Sequence, residues 1–308
     1  MAKIICVTNL KGGVSKTTST ANLGAALARM GYRVLIVDWD PQGNLTTHFG
    51  IEDENLKTLF QALDPAVKGY HHVDKLHAYG LEQYPGKLFL LANNFTLAKF
   101  EGTFTGTLPG FQFVLKKALE NFDDRVDFVL IDTQPSLSVL TINAFCAADH
   151  LMIPMEADKF SENGLDQILF ALQQIHEYYG KTITVAGAFF AKHKANTVIS
   201  KKYEAYFKSD RSEIPVMKTV IRDGVALKEC KEIGMDIFSY DNMLNERNKK
   251  NEVSNGSEDY YNLANEMLYN IGMREEVVQA RVEVQEKPKS RKNSKGDLKS
   301  EFKEFING

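Results

Sequence analysis

Three stretches of this 308-residue chain run apolar and then stop at polar residues: KIICVT (Lys3–Thr8), YRVLIVD (Tyr32–Asp38) and VDFVLID (Val126–Asp132). Continuous apolar runs, unlike alternating ones, are what strands buried on both faces of a parallel sheet require. KLFLLA (Lys87–Ala92), HLMIPM (His150–Met155) and TITVAGAFF (Thr182–Phe190) extend the series. Helical patterns lie between and after them: TTSTANLGAALARM (Thr17–Met30), FQFVLKKALENF (Phe111–Phe122), NGLDQILFALQQIHEYY (Asn163–Tyr179) and SEDYYNLANEMLYNI (Ser257–Ile271). This alternation predicts a layered α/β domain over residues 1–272, a mostly parallel sheet flanked by helices.

Composition changes after Gly272. EKPKSRKNSKGDLKS (Glu286–Ser300) is nearly devoid of apolar residues and reads as flexible linker. In LKSEFKEFING a helix would place Leu298, Phe302, Phe305 and Ile306 on one face, but the segment is too short to fold alone. Residues 273–308 are therefore expected to form a flexible basic and amphipathic tail. A net charge of −3 gives no global attraction to nucleic acid, so any DNA contact needs a local basic face. Cys6, Cys146 and Cys230 are isolated in sequence, which fits buried thiols better than a metal or redox centre. Without a basic leader or an 18-residue apolar stretch, the expectation is a cytoplasmic protein.

The first strand leads into KGGVSKTT (Lys11–Thr18), a loop shaped like a phosphate cradle at the start of a helix. Leu10 and Ser15 stand where the general GxxxxGK[ST] pattern has glycine. Gly12 and Gly13 let successive N–H groups turn toward phosphate oxygens, and the helix start adds unpaired donors. In such a loop Lys16 contacts the β- and γ-phosphates, the Thr17 hydroxyl ligates Mg²⁺, and Thr18 sits by the α-phosphate. The second strand ends in DWDPQGN (Asp38–Asn44). Asp40 there can position an attacking water, while Asp38 holds the magnesium shell or orders the loop. Asp132, ending the third run in VLIDTQPS, can hold a water on the metal.

Together with HLMIPMEADKFSENGL and TVIRDGVALKECKEIGMDIFSYD, these motifs resemble the ParA/MinD family of deviant Walker-A ATPases, specifically its ParA/Soj partition branch. The resemblance covers roughly residues 1–271 and implies a P-loop NTPase fold, ATP and Mg²⁺ as cofactors, and an ATP-dependent sandwich homodimer. It makes Lys11 the signature lysine that reaches the partner's nucleotide, Lys16 the phosphate-loop lysine, Thr17 the magnesium ligand and Asp40 the water-orienting residue. The nucleotide contacts would come from Lys11, Gly12, Gly13, Val14, Ser15, Lys16, Thr17 and Thr18, with Thr17, Asp38 and Asp132 around the metal. Serine at position 15 departs from the pattern, and a slowed hydrolysis is the expectation.

The resemblance further implies nonspecific DNA binding on the nucleoid and a ParB-like centromere-bound adaptor that stimulates hydrolysis. Candidate DNA contacts are Arg222, Lys192 and Lys194, Lys201 and Lys202, and Arg247, Lys249 and Lys250; Asp223 and Ala226 stand where relatives are often basic. A MinD-like membrane-cycling ATPase and a nucleotide-gated binding module with negligible turnover are the alternatives. The final segment is short for a membrane foot, so membrane contact is not expected. Metal-cluster reductases of the broad family need a second cysteine pattern that this chain lacks.

Overall fold

β1 (Lys3–Val7) is paired on both sides by parallel strands, with β5 (Phe128–Thr133) on one flank and β6 (His150–Met155) on the other. The computed structural model describes residues 1–51, 56–67, 73–103, 110–158, 160–194, 197–207, 214–249 and 252–275. Beyond β5 lie β2 (Val34–Trp39), β4 (Leu88–Leu91) and a short β3 (Ala78–Gly80), and beyond β6 lies β7 (Thr184–Phe190). The seven-stranded order is β3-β4-β2-β5-β1-β6-β7, parallel throughout except for the β3–β4 pair. The expected tail lies outside the described residues from position 276 onward.

Each central strand is buried on both faces, as its unbroken apolar run requires. Alternate residues serve opposite layers. Cys6, Leu35, Val37 and Trp39 pack with α5 (Val114–Leu119), α6 (Val139–Ala147) and α7 (Phe160–Tyr179). Ile5, Val7, Val34 and Ile36 pack with α1 (Lys16–Arg29), α10 (Ile237–Asn248) and α11 (Asn255–Asn270). Gly24 sets the closeness of α1 to the sheet, since a Cβ there would lie 2.7 Å from Cγ2 of Ile36. α1 is also tied to α10, because Asn22 accepts from the N–H of Ile237 at 2.7 Å.

The structure differs from the sequence reading in two places. FQFVLKKALENF is not one helix: 3₁₀ turns at Phe111–Phe113 and Glu120–Phe122 flank a six-residue α5. Short 3₁₀ turns are the usual way to fasten helix ends when few residues are available. The antiparallel edge strand β3 was not expected, because AYG is too short to show a period.

The chain leaves β1 for β2 on one side, while β6 pairs on the other. This opens a crevice beyond the carboxyl ends of the strands, where α/β sheets bind ligands. Next to it, after the turn that follows β2, comes α2 (Asn44–His48), whose last residue, His48, is buried with neither ring nitrogen partnered among the described residues. Burial, with the charge of Lys231 second, holds its pKa down at about 4. The unfolded chain takes up this proton near pH 6.5 and the folded chain only near 4. Stability contributed by the neutral ring is thus complete above about 6.5 and lost as pH falls toward 4, by up to about 3 kcal/mol. Urea unfolding from pH 7.5 to 4.5 checks this: His48→Leu should lose less stability on acidification than the parent, and parallel curves would reject the assignment.

Candidate functional site

The ends of β1, β2 and β5 bring the acidic motifs and the glycine-rich loop to one edge. Asp38 and Asp132 are direct neighbours across β2 and β5, and Val7, just before the loop, is the neighbour of Asp132 on the other side. Both carboxylates are fully buried. Asp132 accepts from Thr17 Oγ1 at 2.7 Å and from Thr20 Oγ1 at 3.4 Å, hydroxyls that helical spacing places on the same side of α1. Asp38 Oδ2 accepts from the Thr46 N–H at 2.8 Å and its hydroxyl at 2.6 Å, while Oδ1 has no hydrogen-bond partner among the described residues. Burial pushes Asp38 up to about 6 against these hydrogen bonds. Asp132 is raised well above the carboxylate range, by burial first and by the charge of Asp38 second.

Asp40 is buried, and its Oδ1 accepts from the N–H of Gln42 at 2.9 Å. Asn93 fastens this turn from β4's side by donating to the Asp40 carbonyl at 3.0 Å. Gly43 is required in the same turn. Its φ is +64°, and a Cβ would come within 3.1 Å of the Asn93 carbonyl oxygen.

The loop itself runs Lys11–Thr18. Gly12 and Gly13 are exposed and Val14 is fully buried. Lys16 is buried, with Nζ donating to the Lys11 carbonyl at 3.1 Å. Burial lowers its pKa, while the charges of Asp132 and Asp40 pull the other way. Lys11 points elsewhere: Nζ pairs with Glu156 at 2.8 Å and Asp158 at 2.5 Å, both just after β6. Burial opposes its charge, but the Asp158 and Glu156 hydrogen bonds raise its pKa overall. A cavity of about 400 Å³ joins these parts, lined by Gly13, Ser15, Lys16, Thr17, Thr18 and Asp40 among others. The arrangement offers a cation, backbone donors at a helix start and hard oxygen ligands, which is chemistry for a polyphosphate and a divalent ion.

A family model described as an AAA domain matches residues 2–185. The sporulation initiation inhibitor protein Soj of Bacillus subtilis is 34% identical over 274 residues, covering 88% of this chain and all of that protein. The chromosome-partitioning ATPase Soj of Treponema pallidum is 30% identical, covering 89% of this chain and all of its own.

The chain belongs to the ParA/MinD family of deviant Walker-A ATPases, in its ParA/Soj branch.

The solved structures agree with that family fold. Cobyrinic acid a,c-diamide synthase from Mycobacterium smegmatis, with bound ATP analogue and magnesium, superposes with a TM-score of 0.64 at 29% identity, over 81% of this chain and 98% of the other.

Within this ParA/Soj-branch chain the basic candidates do not share one environment. The Arg222 guanidinium pairs with Asp259 at 2.6 Å and Glu258 at 2.9 Å, so its charge is already matched by two carboxylates. Lys194 pairs with Asp223 at 3.7 Å. Lys192 is exposed but reaches the phosphate loop, donating to the Gly13 carbonyl at 2.5 Å, and lines the cavity there. Lys201 and Lys202 are exposed on α8 (Val198–Phe207), with Lys202 over the Tyr203 ring. Arg247 and Lys249 are exposed at the end of α10, and Lys250 lies outside the described residues. The sequence reading did not single out Glu156, Asp158 or Lys231. An acidic pair directly after a strand end, as in PMEAD, was the available signal for the first two.

Ser15 occupies the left-handed region, with φ 68° and ψ 26°, and its hydroxyl caps nothing at the start of α1. The serine therefore acts on the loop through its backbone as well as through any side-chain bulk. A left-handed L-residue costs about 1–2 kcal/mol, part of which glycine gives back through its freer unfolded chain. Ser15→Gly should stabilise the fold by about 0.5–1 kcal/mol in urea unfolding, and an unchanged or lower midpoint would reject strain at this position.

Proposed function

We propose that the protein is a ParA-like partition ATPase, acting in plasmid or chromosome segregation. The observation that carries this reading is the convergence of Lys16, Thr17 and Asp40 on one cavity at the sheet edge, with buried Asp132 holding the Thr17 hydroxyl from behind and the Lys11 carbonyl holding the Lys16 ammonium. ATP binds along the loop, with Lys16 on the β- and γ-phosphates. Thr17, Asp132 and Asp38 fit a hard divalent ion, for the two carboxylates are buried beside the cavity-lining Thr17 hydroxyl and Asp38 Oδ1 is unpartnered among the described residues. Bound Mg²⁺ supplies neutralisation of phosphate charge. Asp40 orients the attacking water, its other carboxylate oxygen being anchored by Gln42.

Lys11 serves a second copy of the chain. To reach a partner's nucleotide it exchanges Glu156 and Asp158 for phosphate oxygens, which links closure of the homodimer to the presence of ATP. The closed dimer binds DNA without sequence preference. The exposed bases on α8 and α10 are better suited to phosphate contacts than Arg222, whose carboxylate partners oppose them. A ParB-like adaptor on the centromere stimulates hydrolysis and releases the DNA, with slow turnover in its absence. The domain doing this spans residues 1–272, and the protein works in the cytoplasm on the nucleoid.

Sedimentation with ADP or ATP, with and without DNA, tests the scheme. Dimers and retained DNA are expected with ATP alone. Lys16→Ala should weaken ATP binding on the order of 100-fold. Lys11→Ala should spare binding but abolish the ATP dimer, and Asp40→Ala should spare binding and prolong the dimer. Equal loss of ATP binding in Lys11→Ala and Lys16→Ala would refute the division of roles. DNA retention that is indifferent to nucleotide would refute the partition cycle. Charge removal at Lys201 and Lys202 should flatten the salt dependence of DNA binding more than Arg222→Ala does.

A further inference from the structure

The cavity that holds the loop continues into a second one of about 230 Å³, walled by Ile221, Gly224, Leu227 and Tyr260 among others. Ser15, Thr18, Lys192 and Lys231 line both, and so mark where one passes into the other. With phosphates on the loop, the second cavity is room for a nucleoside, reached across that junction. Two lysines from distant parts of the chain meet there, one after β7 and one at the end of α9 (Val225–Glu232).

Lys192 is built into this place. The backbone on either side of it is fixed, with Ala191 donating to the Met155 carbonyl at 2.8 Å and His193 to the Ile221 carbonyl at 2.9 Å. Between them Lys192 takes a left-handed conformation with φ 52°. Among the described residues the other non-glycine cases are Ser15 and Lys249, so two of the three flank this junction. Strain of this kind costs energy and is retained where the fold over-determines it, often at binding sites. The ammonium reaches the loop at Gly13 and shares Glu156 with Lys11, at 3.4 Å against 2.8 Å for Lys11. Lys231 is exposed, and its ammonium has no ion-pair partner among the described residues.

We propose that Lys192 and Lys231 bind the nucleotide directly, clamping the phosphate next to the ribose from the side opposite Lys16. This rests on the reading that the Lys16 loop takes the phosphates. Because that phosphate is common to nucleoside diphosphates and triphosphates, the pair strengthens ADP and ATP binding alike. It retains nucleotide through hydrolysis, while Lys11 and Lys16 serve the end of the chain that changes. It also removes Lys192 from the DNA-facing set.

The test is titration of the full-length protein with Mg-ADP and with Mg-ATP at several salt concentrations. Lys192→Met should weaken both nucleotides about tenfold and make affinity less salt-dependent, with the unfolding temperature unchanged. Lys192→Arg should keep most of the affinity, and Lys231→Met should show the same pattern as Lys192→Met. A loss confined to ATP would overturn the proposal, because the contact would then be on the terminal phosphate. A loss that arginine does not restore, with a lowered unfolding temperature, would also overturn it, since Lys192 would only prop the Gly13 carbonyl. Unchanged affinities in both methionine variants would overturn it as well. Lys16→Ala separates the two levels: retained binding there removes the loop reading itself, whereas lost binding there with none lost in Lys192→Met removes only this inference.

Discussion

Asp38 and Asp132 lie side by side on neighbouring strands, both out of contact with water, and the arrangement around them answers that cost. Burial is the main reason that both resist ionisation and are raised above the ordinary range, with the charge of Asp40 adding to it at Asp38 and that of Asp38 adding to it at Asp132. The chain supplies hydroxyl and amide donors to each: Thr17 and Thr20 from α1, and Thr46 from α2. Lys16, curled into the loop, brings the compensating charge and is itself made less basic by burial. Such a cluster is poised to accept a hard cation accompanied by phosphate, because that exchange replaces partial neutralisation with full neutralisation. The loop with its helix start, the DPQGN turn and the end of β5 at Asp132 are therefore one electrostatic unit, although they come from three separate stretches of sequence.

Much of this unit was legible from residues alone, for a physical reason. Strands buried on both faces need unbroken apolar runs, and a polar stop shows where each one ends, so the acids that end VLIVD and FVLID could be placed at strand ends. The short β3 carried no readable period, and FQFVLKKALENF had a helical pattern whose length did not survive its flanking turns. Long-range pairing was invisible. Arg222 reads as a free base, yet Glu258 and Asp259 on α11 match its charge. Lys192 reads as a surface base paired with Lys194, and it is exposed, but from a left-handed backbone its ammonium reaches the Gly13 carbonyl of the loop. Ser15 reads as a departure from the glycine pattern, and the structure adds what the sequence does not show, a left-handed backbone at that position.

A shared fold does not by itself set function, which lives in the groups placed around a common cradle. In this chain those groups include a serine in the loop, paired acids opposite Lys11, and lysines at the junction of two cavities.

The close seating of α1 on the sheet has a mechanical meaning. β1 is clamped by strands on both sides, and Gly24 lets the helix rest almost on Ile36. The two ends of the phosphate loop are thus mounted on a strand paired on both sides and a helix seated tightly against the sheet. A load applied by bound nucleotide is not absorbed as slack in that mount. It is passed outward to the turns beyond the strand ends: the one after β2, the stretch after β5 and the segment after β6 that carries Glu156 and Asp158. The sheet works as an anvil, and its rim is where shape can change.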